Sequence, residues 1–155
     1  MRILAIDSAL PACSVCVLDS GEPEPAALET APMERGHGEA LPPMIARVVG
    51  GVEGGFASID RVAVTVGPGS FTGIRIGLAA AQGIAIARKI ELVGVSTLSA
   101  LAAPHIVEPF EGVVASVIDA RNGQVYIAAY GPDGRTVLPP RRMGAHEALR
   151  ALGDG

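Results

Sequence analysis

The sequence is poor in aromatic residues and in charge. Of its 155 residues, 3% are aromatic, and there is no tryptophan. This leaves too few rings for a base-stacking platform of the kind that binds single-stranded nucleic acid. Charged residues make up 18%, and 12 Lys and Arg against 16 Asp and Glu give a net charge of −4. An acidic chain lacks the clustered cations that hold a nucleic-acid backbone, so it is a poor candidate for binding RNA or DNA alone.

Long apolar runs and paired metal ligands are also lacking. The first apolar run ends at Asp7, which favours a strand over a signal peptide, and the longest apolar segment is interrupted by Arg75 and Gln82. We therefore expect no membrane segment. Cys13 and Cys16 lead into a predicted strand, whose alternation would point them to opposite faces, and this favours two reduced thiols in a cytoplasmic protein. The three histidines stand apart, so we predict no metal site.

Aliphatic and small residues take the place of the missing types. Hydrophobic residues make up 49% of the chain, and 20 residues are glycine. This composition excludes an intrinsically disordered chain, which needs low hydrophobicity and high charge. It predicts a core of aliphatic side chains in which backbones approach closely. The small share of charge also indicates that some apolar surface is meant for another chain.

Hydrophobic periodicity predicts an α/β fold with a mixed sheet. Three strands joined by short turns form an N-terminal antiparallel meander, and helices then alternate with further strands. The predicted strands are 2–7, 14–19, 26–31, 61–66 and 91–95, and the predicted helices are 39–49, 70–88, 96–103 and 145–152.

The start of the chain is echoed after residue 112. Ala5-Ile6-Asp7-Ser8 corresponds to Val117-Ile118-Asp119-Ala120, and in both places a second apolar strand follows a short loop. We interpret this as a second, incomplete copy of one hairpin-first unit. The predicted organisation is an N-terminal domain over 1–103, a linker over 104–112 with two prolines, and the start of a similar domain over 113–155.

The most distinctive segment is GPGSFTGIR, residues 67–75, between a strand and a helix. Free amides at a helix N-terminus suit an anion, which makes Gly69, Ser70 and Thr72 candidate anion contacts. The spacing matches neither a P-loop, nor a dinucleotide-binding turn, nor a nucleophile elbow. A tight turn in which Ser70 or Thr72 caps the helix is the alternative.

The helix that follows is apolar on nearly all sides. Gly73, Gly77 and Ala81 recur every four residues and form a stripe of small residues. Glycine costs about 1 kcal/mol in a helix interior, so the stripe should serve a packing need. Either the helix is fully internal, or it packs closely against a helix of a partner subunit.

Asp7 and Asp119 end the corresponding strands of the two copies. Paired acids at these places hold a metal and phosphates in actin-like and sugar-kinase-like ATPases. Here the loop after Asp7 contains Pro11 and no glycine, so it offers few amides to a phosphate. Carboxylates that accept hydrogen bonds from turn amides are the alternative interpretation.

Five segments together resemble the bacterial TsaB family, also called YeaZ. They are ILAIDSALPACSVCVL, HGEALPPMI, VTVGPGSFTGIRIGLAAAQGIA, GVSTLSALA and VIDARNGQVYIAAY. The resemblance covers nearly the whole chain. It implies an actin-like ATPase (ribonuclease H-like) fold, in agreement with the duplicated hairpin unit.

The resemblance also implies a function and partners. TsaB-type proteins are non-catalytic scaffold subunits in the synthesis of threonylcarbamoyladenosine on tRNA. A TsaD-type transferase carries the nucleotide, metal and transferase chemistry, and a TsaE-type ATPase joins the pair. We therefore expect no catalytic residue and no cofactor on this chain, ATP and metal on its partners, and tRNA contact only through the complex.

By matching positions, the resemblance assigns a partner surface to two helices, through which the chain would bind the TsaD-type subunit or a second copy of itself. It comprises Leu41, Met44, Ile45, Val48, Gly73, Ile76, Gly77 and Ala80. The chain departs from the TsaD pattern because no second histidine follows His37 at metal-ligand spacing. It is also shorter than family members usually are.

Two other functions stay open from the sequence alone. One is an independent nucleotide-binding enzyme that uses the 67–73 turn and Asp7. The other is a peptidase, suggested only by a glycoprotease heading in the family naming, because the sequence contains no HExxH motif and no evident catalytic dyad.

Overall fold

The computed structural model describes residues 1–107 and 111–153. By internal contacts the chain divides into two compact units, Met1–Val95 and Ser96–Gly155. Among the described residues, no helix is both long enough and apolar enough to cross a membrane.

The first unit is a five-stranded mixed sheet with two helices. Its order is β3-β2-β1-β4-β5, with β1 antiparallel to β2 and parallel to β4. The predicted meander and mixed sheet are thus confirmed, with shifts of one or two residues at several ends. The elements are β1 (Arg2–Asp7), β2 (Ala12–Asp19), β3 (Ala27–Pro32), α1 (His37–Gly50), a 3₁₀ turn (Gly55–Ser58), β4 (Arg61–Thr65), α2 (Phe71–Arg88) and β5 (Glu91–Val95).

Alternation along the strands builds the core of this unit. Leu4 and Ile6 of β1 are buried beside Val62 and Val64 of β4, on the face that α1 and α2 cover. Within Met1–Val95, all of which is described, this core contains no aromatic side chain. Aliphatic side chains pack there without the large rings that the composition lacks, as the sequence predicted.

The second unit repeats the meander. It contains α3 (Thr97–Ile106), β6 (Val114–Asp119), β7 (Gln124–Tyr130), β8 (Thr136–Gly144) and α4 (Ala145–Gly153). The sheet order is β6-β7-β8, and both pairs are antiparallel, as in β1-β2-β3. The sequence analysis did not identify β8, which contains Pro139 and Pro140. Proline cannot donate to a ladder, and β8 tolerates it because it is an edge strand.

Helix α3 ends later than the sequence indicated and packs on a different unit. We expected it to end at residue 103 and to belong to the first domain. In the structure it continues to Ile106 with Pro104 inside it, and it packs on β6 and β7 of the second unit. Residues 104–106 of the predicted linker are therefore helical, and residues 108–110 lie outside the described residues. The division into functional domains 1–103 and 113–155 stays a prediction.

Candidate interaction site

The β1–β2 loop and the start of α2 pack closely against each other. The Ser70 amide donates to the Ala9 carbonyl at 2.7 Å, and the buried Ser8 hydroxyl donates to the Gly73 carbonyl at 2.8 Å. Ser70 also caps the helix, because its side chain accepts from the Gly73 amide at 3.2 Å. These bonds hold the first turn of α2 directly on the loop.

Glycines make this approach feasible. A Cβ atom at Gly69 would overlap the Ala9 carbonyl, one at Gly73 would overlap the Ser8 carbonyl, and one at Gly77 would overlap the Ser8 hydroxyl. The glycine stripe therefore answers a packing need, as expected. Its partner, however, is the β1–β2 loop of the same unit, and no second chain is needed to explain it.

The predicted partner residues are mainly core residues. Leu41, Met44, Ile45 and Val48 of α1 are at most 5% exposed, and Gly73 and Gly77 are buried against the loop. Ile76 and Ala80 are partly buried against the same core. The residue assignment needs correcting for the six buried positions, because a buried side chain presents no surface to another protein. That α1 and α2 take part in an interface stays a prediction.

The opposite face of α2 is exposed and nearly uncharged. It presents Thr72, Ala79, Gly83 and Ile86 at helical spacing, and the Ile86 side chain is 77% exposed. At its N-terminal end the guanidinium of Arg75 lies 3.7 Å from the centroid of the exposed Phe71 ring, a cation–π contact. The sequence analysis missed this face because it assigned the partner surface by family position instead of by the side opposite the glycine stripe.

Helix α1 adds small exposed residues on its own outer side, and the two helices contact each other. We name a set of nine exposed residues of both helices, most of them small or apolar, the outer helical face. Large apolar groups that stay in water are often interaction sites when they form a patch. The outer helical face consists of Pro42, Pro43, Ala46, Phe71, Thr72, Arg75, Ala79, Gly83 and Ile86.

Both strand-end acids accept hydrogen bonds from turns. One oxygen of Asp7 accepts from the Ala9 amide at 2.9 Å and from the Thr65 hydroxyl at 2.7 Å. Asp119 accepts from the Arg121 amide at 2.8 Å. The interpretation as turn acceptors is confirmed. Among the described residues, no three His, Cys, Asp or Glu side chains gather in a way that could hold a metal ion.

The two cysteines are free thiols on opposite sides of the sheet. Cys13 is buried, and Cys16 is half-buried on the other face. Burial raises the pKa of both thiols, and for Cys13 the charge of Asp7 adds to the effect. Because the thiolate is the reactive form, these groups are held in their unreactive state. The predicted arrangement of the pair is confirmed.

The candidate anion contacts separate in the structure. Gly69 packs against Ala9, whereas Ser70 and Thr72 line a pocket of about 260 Å³ where α1 and α2 begin. Ile76 of α2 also lines this pocket, and the remaining lining residues come from the opening of α1 and the segment before it, a contribution that the sequence analysis did not foresee.

Comparison with known proteins places this architecture in a family. Residues 31–148 match the family model described as TsaD, tRNA N6-adenosine threonylcarbamoyltransferase. The tRNA threonylcarbamoyladenosine biosynthesis protein TsaB of Escherichia coli is 40% identical, over 98% of this chain and 68% of that protein. The protein of the same name from Haemophilus influenzae is 37% identical, over 83% of this chain and 53% of its own length.

A solved structure gives the same result for the fold. The structure of YeaZ from Pseudomonas aeruginosa matches with a TM-score of 0.81 and 30% identity, over 92% of this chain and 67% of that one. The predicted actin-like α/β fold class is confirmed. This chain spans only about half to two thirds of these relatives. On these matches in sequence and in structure, the chain belongs to the TsaB (YeaZ) family.

Proposed function

We propose that this chain is a non-catalytic scaffold subunit in the synthesis of threonylcarbamoyladenosine on tRNA. The process is the one printed in the names of the TsaB relatives, tRNA threonylcarbamoyladenosine biosynthesis. The match to a TsaD-type family model supports a role together with a TsaD-type partner. The outer helical face is the observation that carries the scaffold role. It exposes apolar side chains on two adjacent helices, in a unit whose core is already complete without them.

In this proposal the outer helical face binds the TsaD-type subunit. Its flat surface of small side chains allows a partner helix to approach closely, and Ile86 and Phe71 supply large apolar groups at its two ends. A second copy of the chain uses the same face when the partner is absent. A TsaE-type ATPase joins the pair, and all three work in the cytoplasm.

The chemistry belongs to the partners in this proposal. An actin-like ATPase would hold phosphate at the β1–β2 loop. Here the start of α2 packs against this loop, and Asp7 accepts a hydrogen bond from the Ala9 amide of the loop itself. ATP and metal therefore bind to partner subunits. The tRNA is reached only through the complex, in keeping with the net charge of −4.

Reconstitution tests the function. The chain is mixed with a TsaD-type subunit, a TsaE-type subunit, threonylcarbamoyl-adenylate and tRNA, and modified adenosine is measured with and without it. We expect formation to depend on the chain. Equal formation in its absence would contradict the proposed role.

Two matched variants test the surface. Ile86→Glu introduces a charge on the outer helical face, and Leu149→Glu does so on α4, where the leucine is 68% exposed. We expect Ile86→Glu to abolish co-elution with the TsaD-type subunit and Leu149→Glu to preserve it, with both variants folded by circular dichroism. Unchanged co-elution of Ile86→Glu would remove this face from the interface. Gly77→Glu is unsuitable because its side chain would overlap Ser8 and disturb the fold.

Calorimetry with ATP and magnesium separates the scaffold from an independent nucleotide-binding enzyme. We expect no heat of binding to the isolated chain. Micromolar binding would instead favour the enzyme, and release of peptides from casein by the purified chain would favour the peptidase.

A further inference from the structure

A cleft in the second unit is a concave site that the scaffold role leaves unused. One side of α3 and the turn between β7 and β8 form it, and its volume is about 560 Å³. All the lining residues that the structure describes belong to the second unit. The α3 side presents Ser99, Ala103, Ile106 and Val107, which recur at helical spacing along one face of the helix.

An acidic side chain gives the cleft its charge. Of the described residues that line it, Asp133 carries a negative charge and none carries a positive one. The Asp133 Oδ1 accepts a hydrogen bond from the Arg135 amide at 3.0 Å, which holds the carboxylate in place within the turn. Among the hydrogen bonds and ion pairs of the described residues, none engages Oδ2. The carboxylate therefore has one oxygen and its charge available to a ligand.

The end of α3 gives a second and independent attraction for a cation. The helix ends at Ile106, which lines the cleft, and the C-terminal end of a helix carries the negative end of its dipole. A Cβ atom added at Gly134 would lie 3.7 Å from the Ile106 side chain, so the turn that contains Asp133 lies close to this helix end. The carboxylate and the helix end therefore attract positive charge to the same part of the cleft.

Two hydroxyls supply neutral acceptors in the same wall. The Ser99 Oγ and the Tyr130 Oη lie 2.8 Å apart, and one donates to the other. Tyr130 is 6% exposed, so the pair lies largely out of water. The hydroxyl that donates still has lone pairs with which to accept, and no other hydrogen bond of the described residues uses them. An ammonium group has three donors and no acceptor, so oxygens of this kind suit it.

The rest of the wall is mainly apolar. It includes Ala103, Ile106, Val107 and Pro132, and Val107 is 84% exposed, which leaves a large apolar side chain in water. The methylene groups of a flexible chain cover such a surface while its charged end stays with polar groups. An apolar lining with a few polar groups is typical of sites that bind small molecules. Here the polar groups are acceptors and the charge is negative, so the ligand that fits is a cation with an aliphatic part.

We propose that this cleft binds a primary ammonium group on an unbranched aliphatic chain, carried either by a small free amine or by a lysine side chain. Asp133 supplies the charge, the Ser99–Tyr130 pair supplies neutral acceptors, and Ile106 and Val107 cover the aliphatic chain. This site is independent of the scaffold role and exists in the isolated chain.

Amide chemical shifts in the isolated chain of 155 residues test the proposal. The free amine 1-aminopentane and the lysine analogue Nα-acetyl-lysine amide are titrated separately at constant ionic strength. The uncharged control is 1-pentanol, which has the same aliphatic chain. We expect saturable shifts at residues 103–107 and 131–136 with at least one ammonium probe, and binding of 1-pentanol that is weaker by about threefold or more. The tighter ammonium probe identifies the source of the group. Absence of saturable shifts with both ammonium probes, or equally tight binding of 1-pentanol, would overturn the proposal.

Two charge variants define the determinant. Asp133→Asn should weaken binding of the ammonium probe about threefold or more, because it removes the charge and leaves the shape. Glu147→Gln is the control, since it removes the same charge from α4, which packs on the other face of the sheet. Equal losses in Asp133→Asn and Glu147→Gln would show attraction by net charge alone and would overturn the site. Asp133 is exposed, and the asparagine oxygen can still accept from the Arg135 amide, so the variant should stay folded.

Discussion

Both faces of α2 carry small residues, and these residues meet different surroundings on the two sides. On the inner face Gly73, Gly77 and Ala81 lie against the β1–β2 loop and the core, and a Cβ at either glycine would overlap Ser8. On the outer face Ala79 and Gly83 lie in water, and no atom stands within 4 Å of the Cβ position of Gly83. Small residues are therefore obligatory on one side of the helix and optional for folding on the other.

Under the proposed function, this difference separates residues needed for stability from residues available for recognition. Inner glycines are needed because Ser8 and Ala9 occupy the space that their side chains would take. The outer glycine lowers helix stability and gains no contact within the chain, so its small size is not needed for packing within this unit. Three substitutions test this division, beginning with the largest expected effect, and a fourth tests a surface contact of the neighbouring helix α1.

Gly73→Ala should prevent stable folding or cost about 3 kcal/mol or more of unfolding free energy. The added methyl would overlap the Ser8 carbonyl, which is backbone and moves only with the whole loop. Urea denaturation followed by circular dichroism measures the loss. A variant as stable as the original chain would show that the helix and loop are not in close contact.

Ser8→Ala should cost about 1 kcal/mol, because it removes the buried hydrogen bond from the Ser8 hydroxyl to the Gly73 carbonyl. The change leaves room and introduces no overlap, so folding should survive. Thermal denaturation provides the measurement. A loss as large as that of Gly73→Ala would mean that the hydroxyl, and not the backbone fit, dominates this contact.

Gly83→Ala should have the opposite sign and stabilise the isolated chain by up to about 1 kcal/mol. Alanine is the better helix former, and the outer position offers open space. The same urea experiment reports the gain. Destabilisation would show that the outer face is in contact with the chain itself, which would break the comparison.

The smallest effect concerns a surface contact of the neighbouring helix α1. Hydrogen bonds from Arg47, the shorter at 2.6 Å, lower the pKa of the Glu29 carboxyl below its usual value. The stabilisation is present above the pKa of the unfolded chain and is lost as the pH falls through the lower folded value. Arg47→Gln should therefore make stability slightly less sensitive to acid. Urea midpoints between pH 6 and about pH 3 check this, and a steeper loss in the variant would contradict it.

The sequence predicted the local elements well because each has a strong local pattern. Strand alternation located β1, β4 and β5, and the apolar stripe located α1. Proline was the main source of error: Pro139 and Pro140 hid β8 at the edge of its sheet, and Pro104 suggested a linker where α3 continues. In both cases contacts with neighbouring elements outweigh the local preference.

The candidate site was harder to predict because its contacts join distant parts of the chain. Periodicity identified the glycine stripe on α2 but could not identify its partner, since Ser8 precedes Gly73 by 65 positions. The spacing of a stripe is the same whether it faces a loop of its own unit or another protein. The buried members of α1 were misassigned for the same reason, because a row of apolar residues does not reveal what covers it.

By itself, the sequence determined the order of strands and helices, the repetition of the meander, the aliphatic character of the core and the family resemblance. Each of these depends on residue types and their spacing along the chain. Only the tertiary structure decided which side of α2 packs on Ser8 and Ala9, which residues stay exposed for a partner, and that the starts of α1 and α2 share one pocket. Those features depend on the sheet order, which brings residues far apart in the chain into contact.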